Sequence, residues 1–267
     1  MVTIAISADK GIPKAQLDLL SKQTSLPLLN KQIQADYLLH IKTEHLELQK
    51  VEAKTRKKTK KIASIFADFT TGKMQHRRLH GGGKGQNIAK AVGLHKIQKP
   101  RVLDLTAGMG SDAFVLASLG CELMLVERNV VIHALLNDAL KRANLSSDQQ
   151  LQEILARINL INKDALDVLA GLDHNDLPDV IYFDPMFPEK TKSAQVKKEM
   201  QFFHDIVGSD TDSEALFLKA LSKAKKRIVV KRPRLAETIT KQLKPDFVIS
   251  GKSTRYDVYL PRTLTVS

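Results

Sequence analysis

The chain has one cysteine, no tryptophan and no long apolar run. A lone Cys121 cannot close an internal disulfide, and its apolar surroundings suit a small buried hydrophobe. One thiol and scattered histidines argue against a structural metal site. No stretch approaches the roughly 18 apolar residues of a membrane span, and the N-terminus lacks a basic stretch followed by an apolar core. The expectation is a soluble protein in a reducing, cytoplasmic setting with no membrane partner. Acidic residues are also scarce: 29 Asp and Glu stand against 42 Lys and Arg, for a formal charge of +13. That imbalance suits a polyanionic partner, because each cation near a phosphate releases counterions. Charge alone does not single out nucleic acid, since many basic proteins bind none.

What is present is a chain of 267 residues with 43% apolar content, enough for one large domain or for a domain plus a smaller one. Residues 1–85 read as a small α+β region. A strand is expected over 2–8, a helix over 13–23, and paired strands over 37–41 and 45–51. A lysine-rich run at 54–61 is either a solvated turn or an RNA contact. From 86 to 267 strands and helices alternate. Strands are expected over 101–105, 123–127, 158–162, 180–184, 227–231, 247–250 and 256–260. Helices are expected over 112–119, 130–143, 148–156, 165–172, 212–224 and 235–241. Several strands are apolar throughout, as in a sheet covered by helices on both faces. The last two are separated by a short turn and should pair antiparallel. The predicted fold class is α/β, a Rossmann-like sheet preceded by the small N-terminal α+β region.

The first strand of this sheet runs into Asp104-Leu105-Thr106-Ala107-Gly108-Met109-Gly110-Ser111-Asp112-Ala113. Formally this contains the dinucleotide fingerprint, with Glu127 at the end of the next strand placed for a ribose diol. A pyrophosphate, however, would sit on the N-terminus of the following helix, where an anion is favoured. Asp112 already brings a carboxylate there, and Asp104 adds another nearby. Two acids suit a phosphate-free cofactor that carries an ammonium and a sulfonium, namely S-adenosylmethionine. Asp112 could instead be only a helix cap. Asp164, after the third strand, is placed either for an adenine amino group or as the cap of the next helix. Arg128 either lies over the adenosine or is a surface charge.

The fourth strand ends in Asp184-Pro185-Met186-Phe187-Pro188. A carboxylate at a strand tip accepts from an exocyclic amine, prolines stiffen the backbone, and a phenyl ring offers a stacking face for a flipped base. Asp184 and Phe187 are the candidate catalytic residues; Phe187 could also be a core side chain. An aromatic amine is a weak nucleophile, so positioning should supply most of the rate, with no strong base required of Asp184. In an open parallel sheet the Gly108 loop and the Asp184 tip face one crevice. Basic segments surround them. Arg77, Arg78 and Lys84 flank a run of glycines, Lys192 and Lys197 follow the Asp184 tip, and Lys231 and Arg232 end the next strand. Each is a candidate RNA contact, with a flexible linker or a solvated face as the plainer alternative.

Taken together these motifs resemble one family, the 16S ribosomal RNA guanine-N2 methyltransferases of the RsmJ type. The resemblance runs through His76-Arg77-Arg78, Gly81-Gly82-Gly83-Lys84-Gly85, Asp104 to Gly110, Asp112 to Ser118, and Glu127-Arg128-Asn129. It closes with Asp184-Pro185-Met186-Phe187-Pro188, Lys192-Ser193-Ala194 and Val229-Val230-Lys231-Arg232-Pro233. It implies S-adenosylmethionine as cofactor, and 16S rRNA or the small ribosomal subunit as partner. The implied reaction methylates the 2-amino group of a guanine near the 3′ end of that RNA. Cofactor contacts carried over are Ser111, Asp112, Glu127, Arg128, Asp164 and Asp184, beside Asp104, Gly108 and Gly110 from the loop itself. The sequence departs from the family pattern at Ser111 and around Lys163-Asp164-Ala165. An N6-adenine or N4-cytosine methyltransferase, or a non-catalytic ribosome-assembly factor, would share much of this pattern.

Overall fold

The structure, a computed structural model, describes residues 2–51, 63–80, 83–185, 205–206 and 212–263. The lysine-rich run at 54–61, Gly81 and Gly82, Phe187, Lys192 and Lys197 lie outside the described residues.

The N-terminal part is a four-stranded sheet. β1 (Ile4–Ala8) is followed by α1 (Lys14–Thr24), then β2 (Tyr37–Ile41), β3 (Leu46–Lys50) and the two-residue β4 (Ser64–Ile65). Their spatial order is β1-β2-β3-β4, with β1 parallel to β2 and the rest antiparallel. Next come α2 (Gly72–His80), a 3₁₀ turn at Gly83–Gly85, and α3 (Asn87–Val92). The basic residues before the glycine run, His76 to Arg78, are therefore helical. Their neighbouring glycines hid the five-residue stretch Met74–Arg78 that can wind as a helix.

The larger sheet contains β5 (Arg101–Asp104), β6 (Glu122–Val126), β7 (Ile158–Ile161), β8 (Val180–Phe183), β9 (Arg227–Pro233), β10 (Phe247–Ser250) and β11 (Thr254–Tyr259). Helices α4 (Ser111–Ser118), α5 (Val130–Asn144), α6 (Gln149–Leu155), α7 (Ala165–Gly171) and α8 (Ser213–Ala220) cover its faces. The strand order is β10-β11-β9-β8-β5-β6-β7. The first five strands to form along the chain are parallel, and β11 inserts antiparallel between β9 and β10. The hairpin expected at the end of the chain forms, but β11 rather than β10 joins the sheet interior.

Alternation along the strands sorts the core into two layers. Val102, Val180, Tyr182 and Val229 pack on one side with Phe114 and Leu116 of α4. Leu103, Ile181, Phe183 and Val230 pack on the other with Phe217 of α8. All four residues of β8 are buried, which explains its unbroken apolar run. Helix α5 starts where the Asn129 side chain accepts from the N–H groups of Val131 and Ile132. Lys141 and Arg142 in its last turn complement the helix dipole. One α5 face, with Val131, Ile132 and Leu135, packs against Leu39, Leu46 and Leu48 of the N-terminal sheet. The Asp138 carboxylate fastens the same junction by accepting from Leu46 N–H at 3.1 Å.

The helix expected at 235–241 does not form. Two guanidinium groups take the carbonyls such a helix would need. Arg255 donates to the carbonyls of Arg234 and Ala236, and Arg232 donates to that of Glu237. Among the described residues no helix is long and apolar enough to cross a membrane. None of their His, Cys, Asp and Glu side chains group in threes that could hold a metal ion.

Candidate active site

The carboxyl ends of β5, β6, β8 and β9 open into a crevice of about 610 Å³. Its floor is the loop between β5 and α4. Gly108 and Gly110 take left-handed backbone angles, φ 53° and 73°, which turn the chain sharply into α4. Gly110 is also pressed between neighbours: a Cβ there would lie 2.8 Å from Leu136 Cδ1 and 3.2 Å from the Phe69 ring. Gly110→Ala is therefore expected to cost at least about 1–2 kcal/mol from the backbone angle alone, read as a lower urea midpoint with unchanged slope.

Glu127 at the end of β6 is buried, and its carboxylate spans the loop. Oε2 accepts from Gly108 N–H at 3.0 Å, and Oε1 accepts from Asn129 N–H at 2.8 Å. Asp164 caps α7 by accepting from Leu166 N–H at 2.8 Å, as one of its two expected roles required, and it lines the crevice as well. Arg128 also lines the wall, with Nη1 2.7 Å from Asp212 Oδ2 and 4.0 Å from Asp164 Oδ2. Ser111 lies exposed at the start of α4 and faces the same space.

Asp112 does not cap α4: Gly110 occupies the cap position, and no side chain bonds there. Its carboxylate points instead into a charge cluster. Tyr182 Oη donates to Asp112 Oδ2 at 2.7 Å, Lys231 Nζ donates to the same oxygen at 2.7 Å, and Arg77 lies 3.8 Å from Oδ1. Burial opposes ionisation of Asp112, but the Lys231 charge with the Lys231, Tyr182 and Arg77 contacts outweighs it and holds the pKa below its ordinary value. The Lys231 ammonium is likewise opposed by burial and held well above its ordinary pKa by Asp112 and Asp184. Burial, with both carboxylates close by, raises the Tyr182 phenol, so it stays a hydrogen-bond donor.

Asp184 sits just past β8. Its N–H donates to Thr106 Oγ1 at 2.6 Å, and Lys231 Nζ donates to its Oδ2 at 2.6 Å. Its side chain is 41% exposed, toward the crevice mouth. Asp104 lies below, buried, accepting from Thr106 N–H at 2.9 Å. Burial, reinforced by the charges of Asp112 and Asp184, pushes its pKa up to about 7 against the Thr106 hydrogen bond.

The structure thus brings Asp104, Gly108, Ser111, Asp112, Glu127, Arg128, Asp164 and Asp184 to one crevice. Three of the expected RNA contacts have other partners. Lys231 is bound between two carboxylates. Arg232 is buried, with Nε donating to the Glu237 carbonyl. Arg78 is largely buried and paired with Asp148 at 2.5 Å. Each is the outcome of strand or helix parity: alternate residues of β9 face the two core layers, so neither flank of Lys231-Arg232 is a free surface. Lys84 is exposed, and Arg77 is partly exposed beside Asp112. Sequence reasoning missed Thr106 and Tyr182. Their signal was present, since Tyr182 stands two residues before Asp184 and so shares its strand face.

The chemistry of the lining decides which cofactor fits. Among the described residues Asp104, Asp112, Glu127, Asp164, Asp184 and Asp212 face four cations, Arg128, Lys163, Lys231 and Arg232. An acidic crevice in a protein of charge +13 accommodates a cationic donor and disfavours a pyrophosphate.

The comparisons with known proteins agree. A family model described as "Putative SAM-dependent methyltransferase" matches residues 20–261. The chain is 50% identical over 204 residues to ribosomal RNA small subunit methyltransferase J of Cellvibrio japonicus, covering 75% of this chain and 76% of that protein. It is 44% identical over 247 residues to the protein of the same name from Chromobacterium violaceum, covering 92% of each. The chain belongs to the ribosomal RNA small subunit methyltransferase J family. A crystal structure of an S-adenosylmethionine-dependent methyltransferase from Neisseria gonorrhoeae matches this methyltransferase J fold with a TM-score of 0.73 and 35% identity, over 98% of both chains. Membership in the methyltransferase J family makes S-adenosylmethionine the cofactor and removes the dinucleotide reading.

Proposed function

We propose that this protein methylates the 2-amino group of a guanine near the 3′ end of small-subunit ribosomal RNA. The observation that carries the reading is the 2.6 Å bond from Asp184 N–H to Thr106 Oγ1. It joins the amine-binding tip to the cofactor loop, so donor and acceptor share one crevice. The relatives' printed names supply the small-subunit RNA, and the chain's net charge of +13 suits its backbone.

S-adenosylmethionine supplies an electrophilic methyl group when bound. Glu127 and Asp164 are proposed to hold its adenosine portion, and Asp104 and Asp112 to balance its positive charges. Asp184 accepts a hydrogen bond from the guanine amine and orients it; Phe187 is the proposed stacking partner of the base. Lys84, Lys192 and Lys197, with Arg77 at the crevice edge, are the proposed RNA cations. The division at residue 85, with the N-terminal part as an accessory to the methyltransferase part, belongs to the same proposal.

The test uses 16S rRNA from cells lacking this gene, as free RNA and as small subunits, with isotopically labelled donor. Nucleoside mass mapping should find N2-methylguanosine at a single site. Label in N6-methyladenine or N4-methylcytosine would overturn the choice of base.

A second test concerns protons. Asp104 holds its proton up to a pH of about 7 in the free protein. A cation bound beside it lowers that value, so binding expels a proton. Donor affinity should therefore rise with pH through the neutral range and level off above it. Calorimetry in two buffers of different ionisation enthalpy would count the proton; equal heats would contradict this assignment of Asp104.

A further inference from the structure

Lys231 is the least expected member of the site. Sequence parity explains its place. It shares a strand face with Val229, which pairs with Tyr182 across the β8–β9 register, while its own partner on the other side is Tyr256 of β11. The ammonium therefore arises on the α4 side of the sheet, one step beyond the Tyr182 ring. There it donates to Asp112 Oδ2 at 2.7 Å and to Asp184 Oδ2 at 2.6 Å. Asp112 stands in the first turn of α4, directly after the proposed cofactor loop, and Asp184 at the proposed amine tip. One nitrogen spans the two halves of the reaction centre.

We propose that Lys231 is a positioning residue that locks the donor-side carboxylate Asp112 and the acceptor-side carboxylate Asp184 into one fixed geometry. Its part in catalysis rests on the methyltransferase reading of the crevice, whereas the locking itself does not. The physical argument is charge balance. Two carboxylates held at hydrogen-bond distance from one site repel each other unless a cation lies between them. If that cation is lost, they swing apart or take up a proton. Among the described residues around Asp112 and Asp184 stand the phenols Tyr182 on β8 and Tyr256 on β11, the further acid Asp104 on β5, and the cation Arg77 on α2, 3.8 Å from Asp112. Lys231 is also poorly placed for a phosphate, since its side chain is only 24% exposed and bonded on two sides.

The experiment compares Lys231→Met, Lys231→Arg, Asp112→Asn and Lys231→Met/Asp112→Asn. Thermal unfolding is measured first, without RNA or donor. Lys231→Met should be destabilised, and the double variant should be more stable than Lys231→Met, because removing one acid relieves the repulsion. Additive effects would overturn the proposal, and this readout holds even if the single variant folds poorly. Methyl transfer is measured second. At pH 7, Lys231→Met should lose on the order of 10²-fold in kcat, with KM for RNA changed by less than about threefold. Its rate should climb with pH as the shared proton leaves, whereas the wild-type rate shows no such limb; Lys231→Arg should restore the wild-type profile. A raised KM for RNA with unchanged kcat, and a salt dependence reduced by about one phosphate contact, would make Lys231 an RNA cation and overturn the proposal. Failure of the wild-type protein to methylate RNA would instead count against the proposed function and leave the unfolding result standing.

Discussion

Replacing Asp184 by alanine is expected to lower kcat for methyl transfer by about 10²–10³-fold, the usual range for losing one preorganised polar group at a reaction centre. The fold should survive, because the side chain is 41% exposed and the bond to Thr106 comes from the Asp184 main chain. Lys231 would keep Asp112 as a partner at 2.7 Å. The loss should therefore fall chiefly on the rate, with a smaller loss of donor affinity from the cofactor contact expected of Asp184. Asp184→Asn separates the two properties of the group. It keeps an acceptor oxygen but loses the charge that pairs with Lys231, and it should fall between alanine and wild type. Single-turnover transfer of labelled methyl to 16S rRNA checks both. An alanine variant within about threefold of the wild-type rate would remove Asp184 from the reaction centre.

Glu127→Ala should act on the other half of the site. The buried carboxylate accepts from Gly108 N–H and Asn129 N–H. Without it two main-chain donors lose their partner at the point where the loop must hold a ligand. Hydrogen bonds to a charged group are worth about 1.5–3 kcal/mol, so donor affinity should fall by roughly 10–150-fold. Glu127→Gln should recover part of this, though its amide nitrogen would meet a main-chain donor and leave one of them unsatisfied. Calorimetric titration with S-adenosylmethionine measures the effect without RNA. Unchanged affinity in the alanine variant would show that the loop needs no carboxylate and would overturn the cofactor role of Glu127.

Much of the architecture was legible before any coordinates. The unbroken apolar run of β8 and the Ile228–Val230 centre of β9 reveal strands buried on both faces, and Phe247–Ser250 falls where its pattern placed it. Acids at strand ends, Asp104, Glu127 and Asp184, could be assigned to a crevice because parallel strands put their carboxyl ends on one edge. The failures share a cause. The segment 235–241 has helical composition, yet Arg255, about twenty residues on, claims the carbonyls of Arg234 and Ala236, and Arg232 on the adjoining strand claims that of Glu237. Arg78 and Arg232 read as surface cations in a basic stretch, and the fold buries both. Local composition carries no record of a partner brought by another element.

Lys231 shows the boundary most clearly. Its identity, its place at a strand end and the acidic character of the cofactor loop are properties of the chain alone, set by side-chain chemistry and a two-residue period. That the ammonium enters the crevice instead of meeting a phosphate follows from the pairing of β9 with β8 and the insertion of β11 beside it. A short-range pattern can name the charges; the meeting of Asp112, Asp184 and Lys231 at one nitrogen exists once long-range packing has brought three separate segments within hydrogen-bond reach.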